Sequence, residues 1–236
     1  MRTNALKRKL AAGQKAVGCW VFLAGADATE LLSKVGFDAL VIDHEHIAAT
    51  SRGLIDHMRA AQGSDTTCIV RVPSHDPVVI KRVLDAGIDG IIVPTVETAD
   101  EVRAIVAATR YRPHGGNRGV GYPETRAADW GLAEVEYTRA YREQLLIGVI
   151  VETRRGVENI EEIVEVEGLD FVIPGTGDLL ADIVPSFDGL SGYGSYRNAE
   201  LDTLIARVEK AVKASPKWLV GVSRTGDGAR AMLDRG

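Results

Sequence analysis

Between Gly36 and His46 the sequence GFDALVIDHEH turns from apolar to ionisable without a transition. Asp43, His44, Glu45 and His46 place two carboxylates and two imidazoles directly after a β-branched run. These are the residue types that accept and return protons in general acid–base catalysis. A second place of interest is CIVRVP, where Arg71 interrupts an apolar stretch. A guanidinium there is costly to bury unless an anion meets it. Further along, VIVETRRG carries Glu152, and IPGTGDLL carries Asp178 just beyond Gly175-Thr176-Gly177. Carboxylates without thiolates suit a hard divalent cation such as Mg2+ or Mn2+, with water completing the shell, better than a closed structural zinc site. Glu152 and Asp178 are the better ligand pair, because small or flexible neighbours let an ion approach. The amides of Gly175, Thr176 and Gly177 offer a backbone nest for a substrate carboxylate. Each feature alone has a plainer reading as a helix cap or a surface ion pair; it is their company that points to a functional cleft.

Elements that would position these residues follow from periodicity. Short β-branched runs alternate with amphipathic segments along the whole chain, the pattern of βα units on a parallel sheet. The strands are expected at 16–22, 38–43, 67–72, 90–94, 145–152, 170–174 and 218–222, and helices at 27–34, 53–62, 77–86, 98–109, 157–165, 200–213 and 226–234. In SHDPVVIKRVLDAG, Asp76 and Pro77 supply an N-cap and a proline at N1, and Gly87 ends the run. Such units in 236 residues predict a single (β/α)8 TIM-barrel domain over 1–236, since an open doubly wound sheet would want a G-x-G-x-x-G loop after its first strand and CWVFLAGADATELL has none. In a barrel the strand ends share one mouth, so Asp43, His46, Arg71, Glu152 and Asp178 are expected to meet there. After GDGARAMLDRG the chain stops where an eighth strand is expected, so the C-terminal part reads as incomplete or irregularly closed.

Composition removes several function classes. A net charge of −5 gives no basic footprint for nucleic acid or an anionic membrane. No apolar run approaches the ~20 residues that span a bilayer, and MRTNALKRKLAAGQ has no signal-peptide core, so a cytoplasmic protein is expected. Cys19 and Cys68 sit in apolar stretches and read as small buried hydrophobes. His57 and His114 read as structural, His75 as a possible mouth residue, and Arg118 and Arg126 either as contacts for the far end of an acidic substrate or as subunit or solvated loop charges. The glycines of HGGNRGVG are no P-loop, because no G-K-[ST] follows. Nor does any strand end carry a lysine of the kind Schiff-base aldolases need, so carbanion chemistry here would be metal-assisted.

The ordered blocks GFDALVIDHEH, IVRVPSHDPVVIKRVLDAGIDGIIVPTVETADE, YRPHGGNRGVG, VIVETRRGVENIEEI and LDFVIPGTGDLL, from about Val17 to about Val184, resemble the HpcH/HpaI aldolase family. That resemblance implies metal-dependent cleavage and formation of 4-hydroxy-2-oxo acids, with pyruvate as the nucleophilic half, an aldehyde as the other, and Mg2+, Mn2+ or Co2+ as cofactor. By position it implies metal ligands at Glu152 and Asp178, an essential arginine at Arg71, a dyad of Asp43 and His46, and a pocket tryptophan at Trp20. It further implies that Asp85 reaches a neighbouring subunit's site, within a homo-oligomer that is a hexamer built from dimers, whose last helix is exchanged. His46, oriented by Asp43, is the expected base, with His44 its rival. Replacing Arg71 or His46 by alanine is expected to abolish most turnover without unfolding, and His44→Ala to cost little.

Departures from the family pattern fall in the loops. Ile150 stands where glutamine is common, Pro174-Gly175-Thr176-Gly177 replaces a glycine-proline turn, HGGNRGVG holds one extra residue, and Ile47-Ala48-Ala49 lacks a glycine-proline. The aldehyde half is therefore the least constrained part. Two alternatives stand beside the aldolase reading: a citrate-lyase-like thioester carbon–carbon lyase, and a barrel that binds a metal and a 2-oxo acid without turning it over.

Overall fold

The N-terminal segment, merely polar as a sequence, folds as a helix. In the computed structural model, which describes residues 3–186 and 198–235, Asn4 caps α1 (Ala5–Ala11) by accepting from the Lys7 N–H at 3.0 Å. Its amide donates to the carbonyls of Asp89 (3.1 Å) and Gln144 (2.8 Å), and its oxygen accepts from the Thr67 hydroxyl (3.1 Å). A buried asparagine with every polar atom engaged pins the helix to the sheet, which explains why a short polar segment is ordered.

The chain forms two compact units, Met1–Val93 with Ala104–Ile147, and Pro94–Arg103 with Gly148–Gly236. In the first, β1 (Gly18–Val21), α2 (Ala26–Val35), β2 (Ala39–Asp43), α3 (Ser51–Ala60), β3 (Thr67–Arg71), α4 (Pro77–Asp85) and β4 (Gly90–Val93) alternate as periodicity predicts. α5 (Ala99–Thr109) crosses the division, and α6 (Glu134–Gln144), which periodicity missed, precedes β5 (Leu146–Val151). The second unit continues with α7 (Arg154–Glu158), α8 (Ile160–Val164), β6 (Phe171–Pro174), α9 (Thr176–Ile183), α10 (Ala199–Lys213), β7 (Trp218–Leu219) and α11 (Gly226–Arg235). Among the described residues the strands follow chain order in a seven-stranded sheet, with parallel registers from β1 to β4 and from β5 to β7. Every residue of β2, β3 and β4 is buried, as expected of parallel strands covered on both faces.

Local chemistry sets the helix starts. Asp76 accepts from the Val78 N–H (2.8 Å) with Pro77 at the first helical position, and Thr50 accepts from the Gly53 N–H (3.0 Å). Several expected elements differ, among them the strand expected at 218–222, which forms only over Trp218–Leu219. The helix expected at 157–165 is α7 and α8, parted at Asn159, whose amide donates to the Glu97 carbonyl at 2.9 Å; asparagine favours such outside contacts over a helix interior. The turn expected at Gly175-Thr176-Gly177 is the start of α9, with Gly175 as its N-cap residue. Gly148 illustrates the packing: a Cβ there would fall on the Phe171 ring of β6. Cys68 is buried as expected, whereas Cys19 is only half-buried, because β1 is less covered than β2 and β3. Among the described residues, no helix is long and apolar enough to cross a membrane.

Candidate active site

Strand register assembles the first cluster. β1 and β2 align Trp20 with Val41, and β2 and β3 align Val41 with Ile69 and Asp43 with Arg71. Side chains alternate along a strand, so Trp20, Asp43 and Arg71 share one face. Arg71 Nε donates to Asp43 Oδ1 at 2.7 Å, its Nη1 lies 3.0 Å from Glu45 Oε2, and its guanidinium sits 4.6 Å from the Trp20 ring centroid. A guanidinium carries five N–H donors, so these contacts orient the fork without exhausting it. Arg71 therefore meets the anion its burial requires, and the anion comes from the chain itself.

Asp43 does more than pair with Arg71. Its Oδ1 also accepts from the Glu45 N–H (3.1 Å) and its Oδ2 from the His46 N–H (3.2 Å), folding the segment after β2 over the strand end. Burial opposes the charge on Asp43. The hydrogen bond from Arg71, the Glu45 N–H, the arginine's charge and the His46 N–H together outweigh it and hold the carboxyl below the usual range. Asp43 thus meets His46 through its backbone; the carboxylate beside the His46 ring is that of Glu45, whose Oε2 lies 3.5 Å from Nε2. His46 is exposed. His44 follows Asp43 onto the opposite, helix-facing side, where burial, with a smaller push from the buried His57 on α3, lowers its pKa. His57 is held by Thr29 on α2, Nδ1 to Oγ1 2.7 Å, and burial lowers its pKa too.

Asp85, the last residue of α4, accepts from Arg118 Nη2 at 2.7 Å. Arg118 is buried, with its guanidinium 4.8 Å from the Tyr111 ring centroid and 6.0 Å from that of Tyr137. The reading of Arg118 as a solvated loop charge is thereby overturned, since the tyrosine-rich segment folds around it. Arg126 is likewise engaged, donating to the Ala86 carbonyl at 2.9 Å. His114 binds the Tyr141 hydroxyl (2.7 Å), a structural role as expected.

The second unit carries the carboxylates expected to hold a metal. Glu152 directly follows β5 and is buried; its Oε1 accepts from the Thr95 N–H (2.7 Å) and the Thr95 hydroxyl (3.1 Å). Gly175 sits alongside, its N–H donating to the Val151 carbonyl at 2.9 Å. A Cβ at 175 would stand 2.5 Å from Glu152 Oε2 and 2.8 Å from Ile150 Cγ2. Glycine thus keeps a side chain off that oxygen, and Ile150 presents methyl groups on the same side. Asp178 is exposed in the first turn of α9, where a carboxylate is favoured by the helix dipole. Among the described residues no group of three or more His, Cys, Asp or Glu side chains gathers as a metal cage. Two carboxylates, one buried and braced on one oxygen and one at a helix start, fit a hard cation that takes its remaining oxygens from water and a chelating substrate. Thr95 is a residue to which sequence reasoning gave no role; Glu45 was legible as one of the ionisable residues at the end of β2, but not as the partner of Arg71 and His46.

With this geometry in view, the comparisons are specific. The family profile described as HpcH/HpaI aldolase/citrate lyase matches residues 16–217. A hydroxypyruvate/pyruvate aldolase of Roseobacter denitrificans is 36% identical over 99% of this chain and 88% of its own, and a 4-hydroxy-2-oxovalerate aldolase of Rhodococcus jostii is 40% identical over 89% and 80%. The crystal structure of an HpcH/HpaI aldolase/citrate lyase family protein from Burkholderia cenocepacia superposes with a TM-score of 0.89 at 32% identity, covering 99% of this chain and 90% of that one.

Proposed function

The chain belongs to the HpcH/HpaI aldolase/citrate lyase family, and on that premise we propose that it is a class II aldolase, a carbon–carbon lyase that cleaves and forms 4-hydroxy-2-oxo acids, giving pyruvate and an aldehyde. The observation that carries the reading is Arg71, a buried guanidinium oriented by Asp43, Glu45 and the Trp20 ring at a strand end. A fixed cation of this kind stabilises negative charge that develops in the transition state, and removing one such group costs roughly 3 kcal/mol of barrier.

In the cleavage direction a proton leaves the C4 hydroxyl and the C3–C4 bond breaks, its electron pair passing to the pyruvate half. The aldehyde departs, and the enolate takes a proton at C3. We assign His46 to the hydroxyl proton: it is exposed, Asp43 fixes its backbone, and Glu45 Oε2 lies 3.5 Å from its Nε2. Arg71 faces the charge that develops on the keto oxygen, and Trp20 lines that pocket. Glu152 and Asp178 would hold the divalent cation, which when bound polarises the 2-oxo group as a Lewis acid. The first amides of α9, at Thr176 and Gly177, would receive the substrate carboxylate; the Gly175 amide expected to join them is instead given to the Val151 carbonyl.

The finer architecture belongs to the same proposal: one domain closing as a (β/α)8 barrel, with the last helix exchanged in a dimer-based hexamer in the cytoplasm and Asp85 serving a neighbouring subunit. Two features support assembly. α11 buries none of its described residues, and among the described residues Phe22, Leu23, Trp130 and Leu132 are exposed large apolar side chains.

The test is pyruvate release from 4-hydroxy-2-oxo acids by protein stripped with EDTA and resupplied with Mg2+, Mn2+ or Co2+. Metal-restored release is expected. A folded sample that releases none with any of the three would overturn the aldolase reading and favour a thioester lyase or a binding barrel.

A further inference from the structure

We propose that Thr95 is the positioning residue for Glu152, a strained threonine whose N–H and hydroxyl both brace one oxygen of the carboxylate so that the other is presented to a cation. The inference rests on the reading of Glu152 as a metal ligand. Thr95 has φ of +53°, a left-handed conformation that is a genuine outlier for a β-branched residue. Such strain persists where the surroundings over-determine it, and it concentrates at functional sites. Here the surroundings are visible. Pro94 and Val96 are buried on either side, and the Val96 N–H donates to the Ile150 carbonyl at 3.1 Å, two residues before Glu152.

Held in this way, Thr95 delivers two donors to a single acceptor, 2.7 Å from its N–H and 3.1 Å from its hydroxyl to Oε1. Both donors come from one residue and converge on one oxygen, so a single side chain and its own amide set the carboxylate's orientation. On its other side the carboxylate meets Gly175, which leaves Oε2 without a Cβ against it. Thr95 and Gly175 therefore bracket the group, one bracing Oε1 and the other clearing Oε2. A ligand fixed in orientation before the ion arrives loses less freedom on binding, and outer partners of this kind typically change metal affinity 10–100-fold.

The test is Mn2+ binding to the metal-stripped full chain without substrate, followed by electron paramagnetic resonance. Thr95→Val keeps the shape and the strain while deleting one donor; the N–H remains, so a loss at the low end, about tenfold in Kd, is expected. Thr95→Ser should restore wild-type affinity, and Glu152→Gln should weaken binding more than either. Wild-type-like binding by Thr95→Val alongside loss in Glu152→Gln overturns the role of Thr95. Wild-type-like binding by Glu152→Gln overturns the ligand reading and this inference with it. Should the valine variant fold poorly, Thr95→Gly deletes the same hydroxyl in a residue at ease with positive φ; it is expected to weaken Mn2+ binding likewise, and unchanged affinity there is equally decisive against the proposal.

Discussion

Arg71 and Asp43 face each other in register on adjacent parallel strands, Nε to Oδ1 2.7 Å, with the carboxylate fully buried and the guanidinium nearly so. The arginine expected to serve chemistry alone is therefore also a structural counter-ion, and replacing it is not silent. Arg71→Met should lower stability by about 3–5 kcal/mol, because a buried carboxylate is left uncompensated. Adding Asp43→Asn should recover much of that loss, since the two sites share one interaction. Urea unfolding of both variants checks this; a single variant within about 1 kcal/mol of wild type would mean that water or the Glu45 and His46 amides suffice for Asp43.

Stability should fall in two acid windows. His44 and His57 have folded pKa values lowered by burial, so unfolding takes up protons, and their contribution is complete above the unfolded value of about 6.5 and shrinks as pH drops below it. Asp43 has its pKa lowered as well, by Arg71 and two backbone amides against the opposing effect of burial; its contribution is complete above about pH 4 and is lost below. Urea midpoints measured from pH 7.5 to 3.5 should show both declines. Replacing His44 and His57 together by asparagine should flatten the upper one only, and an unchanged upper decline would place its cause elsewhere.

The two neighbouring histidines should separate cleanly. His46→Ala removes an exposed ring, so stability should stay within about 0.5 kcal/mol while aldol turnover falls roughly 10²–10⁴-fold. His44→Ala should do the reverse, retaining turnover and losing stability, because that ring is packed on the helix side of β2 near His57. Glu45→Gln should fall between, since its carboxylate stands beside both Arg71 and His46. Near-normal turnover in His46→Ala would remove it as the base.

Gly175→Ala places a methyl group 2.5 Å from Glu152 Oε2 and 2.8 Å from Ile150 Cγ2. Overpacking of this kind costs about 1–3 kcal/mol, and the carboxylate must turn away. Thermal unfolding of the metal-free protein should drop, and Mn2+ affinity should drop with it. Intact affinity in a destabilised variant would show that Oε2 is not the coordinating oxygen.

Much of the path to this site was open to sequence reasoning because its rules are local. Periodicity marked Asp43 and Arg71 as strand-end residues, and the Asp76-Pro77 pair marked the start of α4; that Trp20, Asp43 and Arg71 share one face follows from strand register. Ordered motif blocks spread over most of the chain identified the family, which the match over residues 16–217 bears out. Arg71 announced itself as a charge inside an apolar run that needs an anion.

What tertiary structure decided are contacts between residues far apart in the chain, on which no local period reports. Thr95 reaches Glu152 across 57 residues, Arg118 reaches Asp85 across 33, and Asn4 reaches Gln144 across 140. A positive φ at a threonine contradicts its propensity and is sustained only by the packing on either side. That Asp43 engages the backbone of His46 while Glu45 faces its ring turns on how one short segment folds after β2. Residue identity named the chemical groups; only the three-dimensional fold could say which donors from distant parts of the chain meet each carboxylate.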